Sequence, residues 1–389
     1  KLKKKKNKKI KKFKKFKNKK KNKKKKIIKK FLKNLILDKN DFNKSLNTSY
    51  KKNYEFKNFK NKLNLRLIGM GGSILGAKAI HQFLSHKIKR KAQFIDNLTT
   101  NNYKNKKKII NVVISKSGNT LETLLNARII LKKNDTNIFI SEKKNNEITL
   151  LAKKFRSEVI EHNNFIGGRY SVLSETGMLP AELMGLNPNK FRQLNNIIKN
   201  ENFFNALIEN INSLFLLSKN KSNMILLNYN SELESFLEWY KQLVAESLGK
   251  KKKGFLPIIS NMPKDNHSIM QYYLDGVQNN FFTFFSLNNE KGAKLKSSNL
   301  SNNYKFLKNL PVGKILNIQR MSTKNVFIKK KIPFRCFEIL KKNEETLGEL
   351  FIFFMFETIL LGKILNLNPY DQPSVELIKK ETKNFFKLI

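Results

Sequence analysis

The sequence predicts an α/β protein with two parallel-sheet domains, and three observations carry that expectation. Short apolar, β-branched runs such as Val112-Val113-Ile114 have the character of strands buried on both faces. Stretches with helical apolar spacing lie between them, which is the βαβ order of a parallel sheet. The series then occurs twice, on either side of a polar, helical stretch around Lys190–Asn223. A chain of 389 residues is long enough for two such domains, each with its own core.

In the first series the strand candidates are Leu63–Met70, Gln93–Asp96, Ile109–Ser115 and Asn137–Ser141; in the second they are Met224–Leu227, Phe255–Ser260 and Phe281–Leu287. The most apolar window, Leu350–Gly362, is too short to span a bilayer and contains Glu357, so it reads as a core helix. The expected organisation is a lysine-rich tract over residues 1–35, a first domain over 60–190, a second over 215–368, and a C-terminal helix within 369–389.

Charge sets further bounds. The formal net charge is +50, and residues 1–30 alone hold 21 Lys and no acid. Like charges at that density, with only loosely spaced Ile, Leu and Phe between them, predict a tract that is disordered in isolation or at most helical. A surplus of this size attracts polyanions. Two features argue against specific nucleic-acid recognition. The cations are mostly Lys, whereas bidentate base reading favours Arg. Lys, Asn, Ile and Phe are abundant together and share A/T-rich codons, so genome composition is a sufficient cause. Cys336 is the sole cysteine, which excludes an internal disulfide and a multi-cysteine zinc site and suits a reducing, cytoplasmic compartment. The charged N-terminal stretch has no apolar run behind it of the kind a secretory signal needs.

The chemistry-bearing residues stand where strands end. After Val112–Ile114 come Ser115, Lys116, Ser117, Gly118, Asn119 and Thr120, then a helix over Leu121–Ile130. A strand, a small polar turn and a helix start bring free amides, hydroxyls and the positive end of the helix dipole together, and a phosphate monoester is the natural guest. The turn lacks the GxxxxGK[ST] pattern of a Walker loop. Gly71, Gly72 and Ser73 occupy the same position after the first strand, before a helix over Ile74–Leu84; glycine there lets a backbone come close, and Ser73 is a donor. Ligands of open α/β sheets bind beyond the carboxyl ends of the strands, so both turns are expected on one rim.

Arg169 follows Gly167-Gly168, a guanidinium set on a turn and suited to an oxyanion or carboxylate. Glu246 lies one turn before Gly249 in a predicted helix over Leu233–Leu248, beside the negative end of its dipole, a setting suited to a proton-accepting carboxylate. His267, alone of the four histidines, sits in a polar turn at a predicted helix start. Gln372 precedes the last helix and Lys379 lies on it. Taken singly, each of these also reads as an ordinary turn, cap or solvated helix face.

Taken in order they carry more. The segments IGMGGSILGAKA (68–79), VISKSGNTLET (113–123), IGGRYSVLSETGMLPAEL (166–183), QLVAESLGK (242–250) and DQPSVELIKK (371–380), with DNHSIMQYYLDG (265–276) as a looser match, resemble the phosphoglucose isomerase family. The lysine tract is outside the resemblance. That resemblance implies two sugar-isomerase (SIS) αβα sandwich domains with parallel sheets. It also implies interconversion of glucose 6-phosphate and fructose 6-phosphate through a cis-enediol in glycolysis and gluconeogenesis, with no metal and no cofactor.

Ser115, Ser117 and Thr120 match the family's phosphate loop, with Lys116, Gly72 and Ser73 close by. Glu246 matches the base that moves a proton between carbons 2 and 1, and Arg169 the cation that stabilises the enediolate. His267 and Lys379 match the ring-opening pair, and Gln372 a substrate contact. The family is usually a homodimer in which the histidine reaches the neighbour's site. Departures are Asn119 where a Thr is common, and Ser374 and Ile378 in place of glycines, the latter directly before Lys379. A dual phosphoglucose/phosphomannose isomerase is the adjacent alternative. A non-catalytic sugar-phosphate sensor would need the loop but neither Glu246 nor His267.

Overall fold

The computed structural model describes residues 24–38, 40–55, 63–98, 108–288, 291–294 and 301–388. Five strands, β1 (Asn64–Gly69), β2 (Ala92–Ile95), β3 (Ile109–Ile114), β4 (Thr136–Ser141) and β5 (Val159–Glu161), form one sheet in the order β2-β1-β3-β4-β5. Every pairing in it is parallel. All six residues of β3 are buried, as its continuous apolar run predicts. A second parallel sheet holds β6 (Asn223–Asn228), β7 (Leu256–Asn261), β8 (Asn280–Leu287) and β9 (Phe334–Ile339) in the order β7-β6-β8-β9. The strand order thus reverses between β1 and β3 in one sheet and between β6 and β8 in the other.

Six helices frame the core and the site: α1 (Leu75–Phe83), α2 (Leu121–Ile130), α3 (Glu234–Leu248), α4 (Val312–Lys329), α5 (Glu344–Ile364) and α6 (Pro373–Phe386). The LFIFFMF window falls in α5 and is a core helix as expected, with Phe351 meeting Trp239 of α3 edge to face at 4.7 Å. Glu357, the one acid in that window, is buried and satisfied: Arg335 Nη1 lies 2.6 Å from its Oε2, and the Tyr240 hydroxyl donates to Oε1. Helix α1 packs on α3, so one continuous core joins the two sheets.

Two strands were not expected, and part of the lysine tract takes the helical of the two forms expected for it. Residues 1–23 of the lysine tract lie outside the described residues, but residues 24–37 form a helix where charge alone favours disorder. Ile28, Leu32 and Leu35 recur at helical spacing and are buried in the main core, so contact with the rest of the chain outweighs like-charge repulsion. Strand β9 was not expected; it is an edge strand of mixed burial in which Arg335 and Glu338 mask the period. Strand β5 has only three residues, too few to show a pattern. Among the described residues no helix is long and apolar enough to cross a membrane.

Candidate active site

The turn after β3 is held from within and from behind. Ser115 Oγ and Thr120 Oγ1 are 3.0 Å apart. Thr120 is the residue before α2, yet no side chain caps that helix, so its first amides and its dipole are left to face the turn. Gly118 has φ +71°, and a Cβ there would fall 2.0 Å from the Asn146 amide, so only glycine fits. Asn146 caps the next helix by accepting from Thr149 N at 2.9 Å, and Asn119 Oδ1 accepts from Glu147 N at 3.2 Å. Asn119 therefore ties the turn to its scaffold. Lys116 Nζ donates to the Asn164 carbonyl at 2.9 Å and lies 3.8 Å from Glu142. Burial pushes the Lys116 ammonium below its ordinary pKa; Lys144 and Arg169 push the same way, and Glu142 opposes them.

The double glycine after β1 does a different service from the one the sequence suggests. Gly71 has φ +52°, and its missing Cβ would be 2.6 Å from Gln242 Nε2 of α3. At Gly72 the missing Cβ would be 2.4 Å from the Gly168 carbonyl carbon and 2.6 Å from Arg169 N. The close approach these glycines permit is between β1, the Arg169 turn and the Glu246 helix. Ser73 stands beside them at the end of β1, its Cβ close to the Gly69–Ile114 pair that ends β1 and β3.

Arg169 is the hub. It is 5% exposed, and all five of its donors are used: Nε to Ser247 Oγ (2.8 Å), Nη1 to Glu246 Oε2 (3.1 Å) and Gln372 Oε1 (2.8 Å), Nη2 to the Pro369 (2.8 Å) and Asp371 (2.9 Å) carbonyls. The other Glu246 oxygen accepts from Gln242 Nε2 at 2.8 Å. Glu246 is thus oriented by two donors while a quarter of its side chain is still exposed, enough to be reached from outside. Tyr170 OH contacts Ser247 Oγ (2.9 Å) and the Pro369 carbonyl (3.1 Å), and Lys250 pairs with Asp371, so the 368–372 loop is fastened from both sides.

Arg169, Glu246 and Gln372 therefore come into direct contact, with Lys116 close enough to feel the guanidinium. His267 and Lys379 take no part in these contacts. His267 ends a 3₁₀ turn after the edge strand β7 and is exposed. Lys379 lies on α6, which buries no residue, and pairs with Glu376 at 2.7 Å. Gln242, Ser247 and Tyr170 were missed by sequence reasoning. Gln242 had a legible signal, since four residues before Glu246 on a helix is the same face. Chemically, a carboxylate held beside a buried guanidinium can move a proton next to a developing oxyanion.

A family model described as phosphoglucose isomerase matches residues 32–387. The chain is 29% identical to the glucose-6-phosphate isomerase of Methanocaldococcus jannaschii over 342 residues, 82% of each chain. It is 31% identical to that of Mycoplasmopsis pulmonis over 364 residues, 84% of this chain and 82% of the relative. Among solved structures, a hypothetical protein from Thermus thermophilus superposes with a TM-score of 0.75 at 21% identity, covering 83% of each chain, which shows a shared fold. With its two SIS-type αβα units and a match running through nearly all the described residues, the chain belongs to the phosphoglucose isomerase family.

Proposed function

We propose that this protein is a glucose-6-phosphate isomerase. The Ser115–Thr120 turn, with Lys116 and Ser73, holds the phosphoryl group of the sugar, far from the reacting carbons, and that binding energy orients the rest. Glu246 removes the proton from carbon 2 and returns it at carbon 1. Moving a carbonyl between adjacent carbons needs one base able to take and give back the same proton, which a carboxylate can do. Arg169 stabilises the enediolate oxygen charge as it develops. What most supports the reading is the 3.1 Å contact of Arg169 Nη1 with Glu246 Oε2, a donor and a base already paired with Gln372 beside them.

His267 and Lys379 open the sugar ring in this proposal, and His267 does so in the site of a second copy. Its exposure suits that role. So does α6, which presents Leu377, Ile378, Phe385 and Phe386 to solvent, an apolar face that a homodimer would cover. The enzyme is expected to work in the cytoplasm, without specific nucleic-acid binding.

Glu246→Gln tests the assignment. The variant should lose isomerisation of fructose 6-phosphate in a coupled assay while still binding 6-phosphogluconate with near wild-type affinity. Turnover at the wild-type rate would refute Glu246 as the base. The same assay on mannose 6-phosphate decides whether the enzyme is dual.

A further inference from the structure

The second sheet has its own reversal point, between β6 and β8. Open α/β sheets bind ligands beyond the carboxyl ends of their strands at that point, which in the first sheet is where Ser73 and Ser115 stand. At the equivalent place in the second sheet a cavity of about 310 Å³ opens, between Tyr229 just past β6, Ser286 and Leu287 at the end of β8, and the first half of α4. None of its lining residues belongs to the site described above.

Three polar side chains in this cavity are buried yet have unused hydrogen-bonding capacity. Tyr229 is 4% exposed and stacked on Phe284, and its hydroxyl is buried with no hydrogen-bond partner among the described residues. Thr323 donates to the Gln319 carbonyl at 3.0 Å, and its oxygen is the alternative acceptor for the Tyr229 hydroxyl. Ser286 is 6% exposed, and its hydroxyl makes no hydrogen bond among the described residues. Arg320 is 5% exposed; Nε and Nη2 reach Asn317 (3.2 and 2.8 Å) and Nη2 also reaches Glu338 (3.0 Å), which leaves Nη1 without a hydrogen bond among the described residues. Nη1 is not among the side-chain atoms sealed from solvent, so it can donate to a molecule that enters the cavity. Among the described residues that line the cavity none is a carboxylate, and Glu338 pairs with Arg320 from outside that lining.

The start of α4 is not what makes the site. Val312 N donates to the Ala293 carbonyl at 2.9 Å and Gly313 N to the Lys291 carbonyl at 3.1 Å, so these amides are already used. The open donors are side chains on three different elements, converging from β6, β8 and α4. We propose that this cavity is a second ligand site, which binds the phosphate or carboxylate of a small metabolite through Arg320 Nη1, Tyr229 OH and Ser286 Oγ. Its volume is at the lower limit for small-molecule pockets, which fits a small metabolite.

The test uses the full chain. Crystals soaked in selenate should show the anion at Arg320 Nη1 and the Tyr229 hydroxyl. Equilibrium dialysis, run with phosphate and separately with succinate, should find one site per chain that Arg320→Met abolishes and Thr120→Val, which damages the first-sheet cradle, leaves intact. Whichever of the two anions binds there assigns the ligand as phosphate or carboxylate. Tyr229→Phe, which keeps the ring packing, should weaken that site about fivefold, the loss expected for one hydrogen bond. Arg320→Met and Tyr229→Phe should both retain wild-type isomerase turnover. The proposal is overturned if all anion binding is lost in Thr120→Val and kept in Arg320→Met, or if neither anion nor selenate occupies the cavity at millimolar concentration.

Discussion

Substituting alanine for Gly72 adds one methyl group whose carbon falls 2.4 Å from the Gly168 carbonyl carbon, 2.5 Å from its oxygen and 2.6 Å from Arg169 N. All three are backbone atoms, so no rotamer change relieves the contact. Restoring an ordinary separation of at least 3.4 Å moves the Gly168–Arg169 segment by about 1 Å. The guanidinium travels with it, and its bonds to Ser247, Glu246, Gln372, Pro369 and Asp371 span only 2.8–3.1 Å.

A misplacement of about 1 Å at a positioned catalytic group costs roughly 10²-fold in rate, or about 2.7 kcal/mol of transition-state stabilisation. Overpacking adds about 1–3 kcal/mol of destabilisation. The assay is coupled turnover of fructose 6-phosphate, with urea denaturation on the same sample. We expect kcat to fall by about two orders of magnitude, and KM to change less because the Ser115–Thr120 turn is untouched. Gly168→Ala supplies the contrast: a Cβ there meets nothing within 4 Å, so folding stability should hold. Wild-type turnover in Gly72→Ala would refute the view that this glycine sets the position of Arg169.

Three further outcomes are expected. Mixing inactive His267→Leu and Glu246→Gln chains under exchange should restore about a quarter of wild-type activity, because half the dimers would hold one intact site out of two; no recovery counts against a shared site. His162 is 1% exposed, and burial holds its imidazolium at a pKa of about 4 against 6.5 in the unfolded chain. Its contribution is complete above pH 6.5 and declines by about 1.4 kcal/mol per pH unit down to about pH 4, roughly 3 kcal/mol in all. His162→Gln should flatten the difference between urea midpoints at pH 7.5 and pH 5, and an unchanged difference would refute this. Deleting residues 1–23 should leave turnover intact. Deleting through residue 37 should destabilise the protein by several kcal/mol, since burying each of Ile28, Leu32 and Leu35 is worth about 1.5–3 kcal/mol, as thermal melting would show.

How much was legible depends on how far apart the interacting residues are. The strands of both sheets other than β5 and β9 announced themselves because a parallel strand is a run of neighbouring apolar residues, and the turn between β3 and α2 did so because strand, glycine and helix start are adjacent. Gln242 and Glu246 share a helix face at a spacing the sequence displays. What the chain alone determines, then, is its α/β class, its doubling, the glycine turn between β3 and α2, and the residue types that the ordered motifs carry.

Only the tertiary structure decides that Arg169 meets Glu246 across 77 residues and Gln372 across 203, and that Gly71 and Gly72 serve those contacts by letting backbone and α3 close on β1. It also decides that residues 24–37 are helical, a gain that exists only against a core the segment does not itself contain. Periodicity and turn chemistry are written among neighbours in the chain. Which distant side chains share one guanidinium follows from how α1 packs on α3, and no local pattern encodes that.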